Sequence, residues 1–340
     1  MSITITGGIS FSGGVGIVSP PSTVNAGYYG GGSISGDPAT TSSIQRILFA
    51  TDTATASIRG SFNNDTTRGS GTGNTTDGWF AGGMIGASTP LSMIQRITYS
   101  TDTATASVRG PLAVTARATA AASDGTTYGW FSGGYAPAPI SAITCTVQRI
   151  TFATDTATAS TRGPLSAARR YFAGTGTSTS GWVGGGYGPY LAPPAIYAAY
   201  TTVQRITYAT DTNTASVRGP LSAGGYGLAA VTDLTTYGWF GGGYSATAPY
   251  NASTVDRITY ATDTATATIR GPLATGTRLF GATTDGTTYG WFGGGRVPGS
   301  PPTISTVQRI TYATDTATAG VRGPLASAAY KFAGATSGIA

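Results

Sequence analysis

The chain contains no histidine and no glutamate, a single cysteine (Cys145) and a single lysine (Lys331); all 13 of its acids are aspartates. These absences exclude a nucleophilic triad built on a histidine base, a Cys/His zinc site and a disulfide within the chain. No metal and no cofactor is expected. Proton transfer would rest on Asp, Tyr, Cys145 and Lys331 alone, so the residue types argue against an enzyme. Charged residues make up only 9% of 340. No apolar run approaches the roughly 18 residues of a membrane helix, and no membrane insertion is expected. Residues 1–18 hold no Lys or Arg, unlike a secretory leader, so synthesis in a cytoplasm is expected. Low charge with 52 Gly and 18 Pro would suit a disordered chain, but 5 Trp and 19 Tyr supply apolar surface to bury.

What is present is a repeat. Six copies of a stem like Gln-Arg-Ile-Thr-Tyr-Ala-Thr-Asp-Thr-Ala-Thr-Ala-Ser-Val-Arg-Gly-Pro-Leu place a first Arg at Arg46, Arg96, Arg149, Arg205, Arg257 and Arg309. A second follows 13 residues later, at Arg59, Arg109, Arg162, Arg218, Arg270 and Arg322. An Asp lies 6 after each first Arg: Asp52, Asp102, Asp155, Asp211, Asp263 and Asp315. A second stem, Gly-Trp-Phe-Gly-Gly-Gly, centres on Trp79, Trp130, Trp182, Trp239 and Trp291, and Tyr28 marks a degenerate sixth copy. The Trp positions are 51 to 57 residues apart, the size of a propeller blade.

Each module reads as four strands separated by turn signals. In residues 221–272 they are the small run Gly227–Val231, the aromatic Tyr237–Phe240, and the alternating Val255–Tyr260 and Thr266–Arg270. Four antiparallel strands make one blade, and the expected fold is an all-β, six-bladed propeller. The small strand belongs nearest the axis, and the Trp wedges between blades. A tight hairpin centred between Asp211 and Thr212 would pair Ile206 with Val217 and Tyr208 with Ala215. It would also set Arg205 opposite Arg218. Like charges cannot serve each other, so all twelve repeated arginines are expected to tie one blade to the next through backbone carbonyls or the recurring Asp. That Asp is expected to order its own turn.

After Arg322 the sequence runs 18 residues to Ala340, short of the 20 or 21 that elsewhere separate the second Arg from the next Trp. Lys331–Gly334 is therefore expected to supply the inner strand of a blade whose other three come from Gly27 to Arg59. Residues 25–340 form the ring. Residues 1–24, with period-2 alternation and a Pro20-Pro21 break, are expected to be either an extra hairpin or an anchor that adds strands to a partner.

The formal charge of +6 is accounted for by the twelve Arg and six Asp of the stems; seven bases and seven Asp remain. On that sum no nucleic-acid binding is expected.

Two resemblances follow. An aromatic strand ending in Gly-Gly once per blade resembles kelch-type propellers, although kelch blades carry their Trp downstream of the glycines. The stem Arg-Ile-Thr-Tyr-Ala-Thr-Asp-Thr-Ala-Thr-Ala-Ser-Val-Arg-Gly-Pro-Leu and the Ile-Thr-Ile-Thr-Gly-Gly opening resemble structural proteins of tailed-phage virions, particularly those of cyanobacteria and marine bacteria. That resemblance implies a virion component (tail fibre, tailspike or capsid-surface protein), and transfers no catalytic residue.

The loop between the second and third strands varies while the next hairpin keeps one length. From Trp or Tyr28 to the first Arg the steps are 18, 17, 19, 23, 18 and 18, and these loops hold 11 of the 18 Pro. They also gather Tyr135, Tyr187, Tyr190, Tyr197, Tyr200, Tyr244 and Tyr250, and the longest, residues 186–202, is the first candidate for a binding surface. Three functions are consistent with this sequence. The first is a non-enzymatic appendage attaching to a host-surface glycan or protein, as an oligomer if copies associate. The second is a structural protein contacting other virion proteins through residues 1–24. The third is a polysaccharide-degrading propeller, for which Asp37, Asp65, Asp233 and Asp256 are the available carboxylates.

Overall fold

The computed structural model describes residues 25–338 except 37–38, 87–88, 141, 191–195, 246–249, 300–301 and 333. The expected N-terminal anchor or hairpin, residues 1–24, lies outside the described residues. Six four-stranded antiparallel sheets form the six blades of a β-propeller. Blade 5 shows the pattern: inner strand Ala229–Thr232, second strand Tyr237–Gly241, third strand Val255–Thr259 and outer strand Thr268–Arg270. Blades 2, 3, 4 and 6 span 70–109, 120–162, 173–218 and 281–322. In blade 1 the inner strand is Gly334–Gly338, paired antiparallel with Ala26–Gly30, which in turn pairs with Ser43–Leu48. Each inner strand packs against the inner strands on either side, and the circle runs from Gly334–Gly338 to Ser70–Gly73. Small residues are required there: a Cβ on Gly174 would lie 2.3 Å from Ala121 O of the preceding blade.

The repeated residues are concentrated at the blade-to-blade seams. Every Trp is buried, between 0% and 3% exposed. Each stacks on the aromatic that follows the third strand of the next blade: Trp79 on Phe152, Trp130 on Tyr208, Trp182 on Tyr260, Trp239 on Tyr312 and Trp291 on Phe49, with centroids 3.8–4.2 Å apart. The five Trp Nε1 each donate to the recurring Asp of that next blade at 2.8 Å. The same carboxylate accepts from the first Arg and pairs with the second. Asp211 Oδ2, for example, lies 3.0 Å from Arg149 Nη1 and 3.6 Å from Arg162 Nε. In the degenerate copy the Tyr28 hydroxyl replaces the indole, donating to Asp102 Oδ2 at 3.1 Å. Arg59 then closes a two-pronged contact on Asp102 Oδ1 through Nε and Nη2, at 2.9 and 2.7 Å. Planar guanidinium suits this because its donors sit in a fixed fork.

The Gly of each Arg-Gly-Pro completes the seam. Gly219 N donates to Asp263 O at 2.8 Å, and a Cβ at Gly219 would lie 1.9 Å from Ala265 O. A side chain there would force the blades apart.

Two expectations need correction. The hairpin between third and outer strands is longer than a two-residue turn, because Tyr208–Thr210 forms a 3-10 turn. The register becomes Gln204 with Val217 and Arg205 with Ser216, while Arg218 faces Val203. The two arginines are therefore not opposite one another, and both reach the neighbouring blade's Asp. The recurring Asp carboxylate serves the preceding blade's Trp and Arg side chains, since a buried carboxylate gathers the strongest donors within reach. Turn-ordering Asp side chains exist elsewhere, in the inner hairpins. Asp233 Oδ1 accepts from the backbone N–H of Thr235, Thr236 and Tyr237, and Asp124 and Asp285 act alike.

Candidate binding face

Blade topology puts two kinds of segment on one end of the ring: the loops from second to third strand and the connections leading into each inner strand. All the aromatic candidates lie here. Four of the loops fold into small hairpins, the longest pairing Tyr187–Tyr190 with Ile196–Ala199. Tyr190 and Tyr197 occupy that hairpin, Tyr197 opposite Pro189 and Tyr190 opposite Ile196. Tyr135, Tyr187, Tyr200 and Tyr244 are half-buried, and Tyr250 is 56% exposed. Tyr200 is held from within: its hydroxyl donates to Pro189 O and its ring covers the Arg169 guanidinium at 4.8 Å.

The remaining tyrosines are organised by arginines that the charge sum had concealed. The seven bases outside the stems are Arg68, Arg117, Arg169, Arg170, Arg278, Arg296 and Lys331. All but Arg296 lie in the connections into inner strands, and Arg296 follows the Gly-Gly pair of blade 6. All seven therefore share the loop end. At the opposite end, the inner hairpins carry Asp77, Asp124, Asp233 and Asp285. The ring is polar along its axis although its non-stem charges sum to zero.

Backbone bridges place these bases beside the loop tyrosines, Arg117 across from Tyr135 and Arg170 across from Tyr187. Arg117 lies over Tyr135 at 4.9 Å, and Arg170 lies 5.9 Å from Tyr135 and 5.6 Å from Tyr187. Tyr226, absent from the sequence candidates, continues the line, 5.3 Å from Tyr187 and 5.0 Å from Tyr244. Tyr244 leads to Arg278 at 4.7 Å and to Tyr250 at 5.8 Å. The result is an arc Arg117–Tyr135–Arg170–Tyr187–Tyr226–Tyr244–Arg278 over blades 3 to 6. Among the described residues no carboxylate pairs with Arg117, Arg170, Arg278 or Arg296. The Arg117 pKa is lowered, first by burial and then by repulsion from Arg68. Burial raises the Tyr226 hydroxyl pKa, opposed by Arg278. Ring faces rather than acids lie against these guanidiniums.

Inside the arc the backbone closes a second circle. Arg68, Ala118, Tyr171, Gly227, Leu279 and Lys331 all have left-handed φ, from 52° to 70°. Each N–H donates to the carbonyl of its equivalent one blade back: Ala118 to Arg68, Tyr171 to Ala118, Gly227 to Tyr171, Leu279 to Gly227, Lys331 to Leu279 and Arg68 to Lys331. Five of the six are not Gly, and a left-handed conformation costs each about 1 kcal/mol. The hydrogen-bond circle offsets it and frames a channel mouth with a cavity of about 150 Å³. The far end of the channel, lined by small and hydroxyl side chains, widens to about 350 Å³.

The carboxylates considered for hydrolysis do not assemble in the described part of the ring. In blade 5 Asp256 is in the third strand, across from Phe240 near the loop end, and Asp233 is in the inner hairpin before Tyr237, at the other end. Asp65 is exposed in the connection into blade 2, and Asp37 lies outside the described residues. Cys145 is half-buried. No family model matches the chain, and no curated protein matches it.

Proposed function

We propose that the chain is a non-enzymatic binding ring on the surface of a tailed-phage particle, and that its loop face attaches to a host-surface glycan bearing acidic groups. The arc of Arg and Tyr side chains carries this reading. Guanidiniums without carboxylate partners favour carboxylate, sulfate or phosphate groups through paired hydrogen bonds. Tyrosine faces between them suit the apolar side of a sugar ring, with the hydroxyl as polar tip. A rigid ring presents such groups with little ordering cost, and several copies on one particle would raise weak single-site affinity by avidity. The virion setting is supported by the stem's resemblance to phage structural proteins; the kelch likeness supports only the blade plan.

The test is binding of the purified chain to acidic and neutral polysaccharides of a host envelope, with Arg170→Ala and Arg278→Ala beside wild type. Acidic glycan should be retained by wild type, released by moderate salt, and bound at least tenfold more weakly by the double variant. Equal retention of neutral glycan, or tighter retention of single-stranded nucleic acid, would overturn the reading.

A further inference from the structure

Blades 4 and 5 differ at three matching positions in a way that points to a ligand. In blade 4, Arg169 is fully buried, and its Nη1 donates to Gly185 O and Thr202 O, each at 2.9 Å, beneath the ring of Tyr200. Counting along the repeat, the blade 5 equivalents of Arg169 and Tyr200 are Gly225 and Ala252. Where blade 4 holds a guanidinium and a phenol, blade 5 has a cavity of about 340 Å³. The equivalents of the two carbonyl acceptors, Gly242 and Thr254, line it. So does Asp256, which replaces the Gln found at Gln45, Gln95, Gln148, Gln204 and Gln308.

Asp256 gives the cavity its chemistry. In blade 4 the Gln204 side chain accepts from Ser166 N; in blade 5 Asp256 Oδ2 accepts from Ser222 N at 3.1 Å. The shorter acid leaves Oδ1 buried without a partner, in a residue only 6% exposed. A buried carboxylate oxygen without a donor is unfavourable unless something supplies one. The cavity opens past the exposed Ser222 and Ala223.

We propose that this blade 5 cavity is a binding site for a guanidinium group, which donates to Asp256 Oδ1 and to the carbonyls of Gly242 and Thr254. The site borders the loop-face arc at Tyr244, and it does not depend on the glycan reading. Blade 4 shows that a guanidinium fits between these two carbonyls; blade 5 replaces the Gln of that strand with an acid. Gly225 also admits a side chain. Its backbone is not left-handed, and a Cβ would meet Tyr244 O at 3.4 Å and Leu228 at 3.5 Å, ordinary contact distances.

The experiment is a binding titration of the whole chain by isothermal calorimetry, with thermal unfolding in parallel. The probes are methylguanidinium, an acetylated and amidated Ala-Arg-Ala peptide, and tetramethylammonium as a cation that cannot donate. Saturable binding of methylguanidinium and none of tetramethylammonium is expected. Asp256→Asn, which keeps an acceptor for Ser222 N, should weaken it at least tenfold. Gly225→Arg should abolish binding while raising the melting temperature, since the variant fills its own site as blade 4 does. Peptide binding alongside methylguanidinium marks the source as a protein arginine; methylguanidinium alone marks a small free ligand. The proposal is overturned if the two cations bind alike, or if Asp256→Asn binds methylguanidinium as tightly as wild type.

Discussion

Removing one seam carboxylate measures what the repeat is for. In Asp211→Ala, Trp130 Nε1 loses its acceptor and Arg149 and Arg162 lose their counter-charge. Asp211 is only 6% exposed, whereas the two guanidiniums keep 18% and 21%, enough to recover some water. Breaking a buried pair by removing one partner costs about 3–5 kcal/mol, and partial hydration of the arginines favours the lower half. The stranded indole N–H adds about 1 kcal/mol or more. We expect Asp211→Ala to lower the unfolding free energy by about 4 kcal/mol. Asp211→Asn keeps an acceptor for the indole and loses only the charge, so its loss should be about half as large. Asp65→Ala, at an exposed loop position, should change stability by less than about 0.5 kcal/mol. The assay is urea unfolding followed by Trp fluorescence and circular dichroism. A loss below about 1 kcal/mol for Asp211→Ala, or equal losses for the Ala and Asn variants, would refute the carboxylate's role as the shared acceptor of the seam.

Three further outcomes are expected. Gly219→Ala should destabilise by several kcal/mol in the same unfolding assay, because its Cβ meets Ala265 O, whereas Gly125→Ala, in open space at φ 77°, should lose only about 1 kcal/mol. Ala118→Gly should be neutral or stabilising by up to about 1 kcal/mol, since Ala118 holds a left-handed φ of 58°; a clear loss of melting temperature would count against strain at the channel mouth. Burial raises the Asp256 pKa, so the unfolded carboxylate gives up its proton first as pH rises. Wild-type stability should therefore decline from the ordinary carboxylate range up through the folded value. Asp256→Asn should be the more stable at pH 7, with the gap closing toward pH 3. A gap unchanged across that range in urea midpoints would contradict the sign.

Most of the architecture was legible because the chain repeats itself. Strand order within a blade follows from alternation and Gly-Gly stops, and a burial role for Trp130 or Trp239 follows from its recurrence at one scaffold position. The hairpin between third and outer strands departs from the expected register because Tyr208–Thr210 is a 3-10 turn, which leaves no period in a short polar stretch and shifts the pairing of Arg205. The seam role of Asp211 was hidden for a related reason: its partners are 49 to 81 residues away in sequence. The loop-face tyrosines were visible, but Arg117, Arg170 and Arg278 were not. Summing charge over the chain cancels bases at one end against Asp124, Asp233 and Asp285 at the other, and only the fold separates them. Asp256 is the one departure from Gln at its stem position, yet its meaning depends on Gly225 and Ala252, which are unremarkable residues until blade 4 is laid beside blade 5.

The six left-handed residues around the axis pass their amide bonds head to tail with no first or last member. Their in-plane dipoles point tangentially and cancel across any diameter, unlike the aligned peptides of a helix, which add to a net pole. The backbone at the opening therefore offers little in-plane pull on an approaching ion. Whatever potential an incoming molecule meets there is set by side chains, with Arg68 and Lys331 adjacent on the rim. Replacing those two side chains would change the charge at the opening while leaving in place the backbone bonds that frame it.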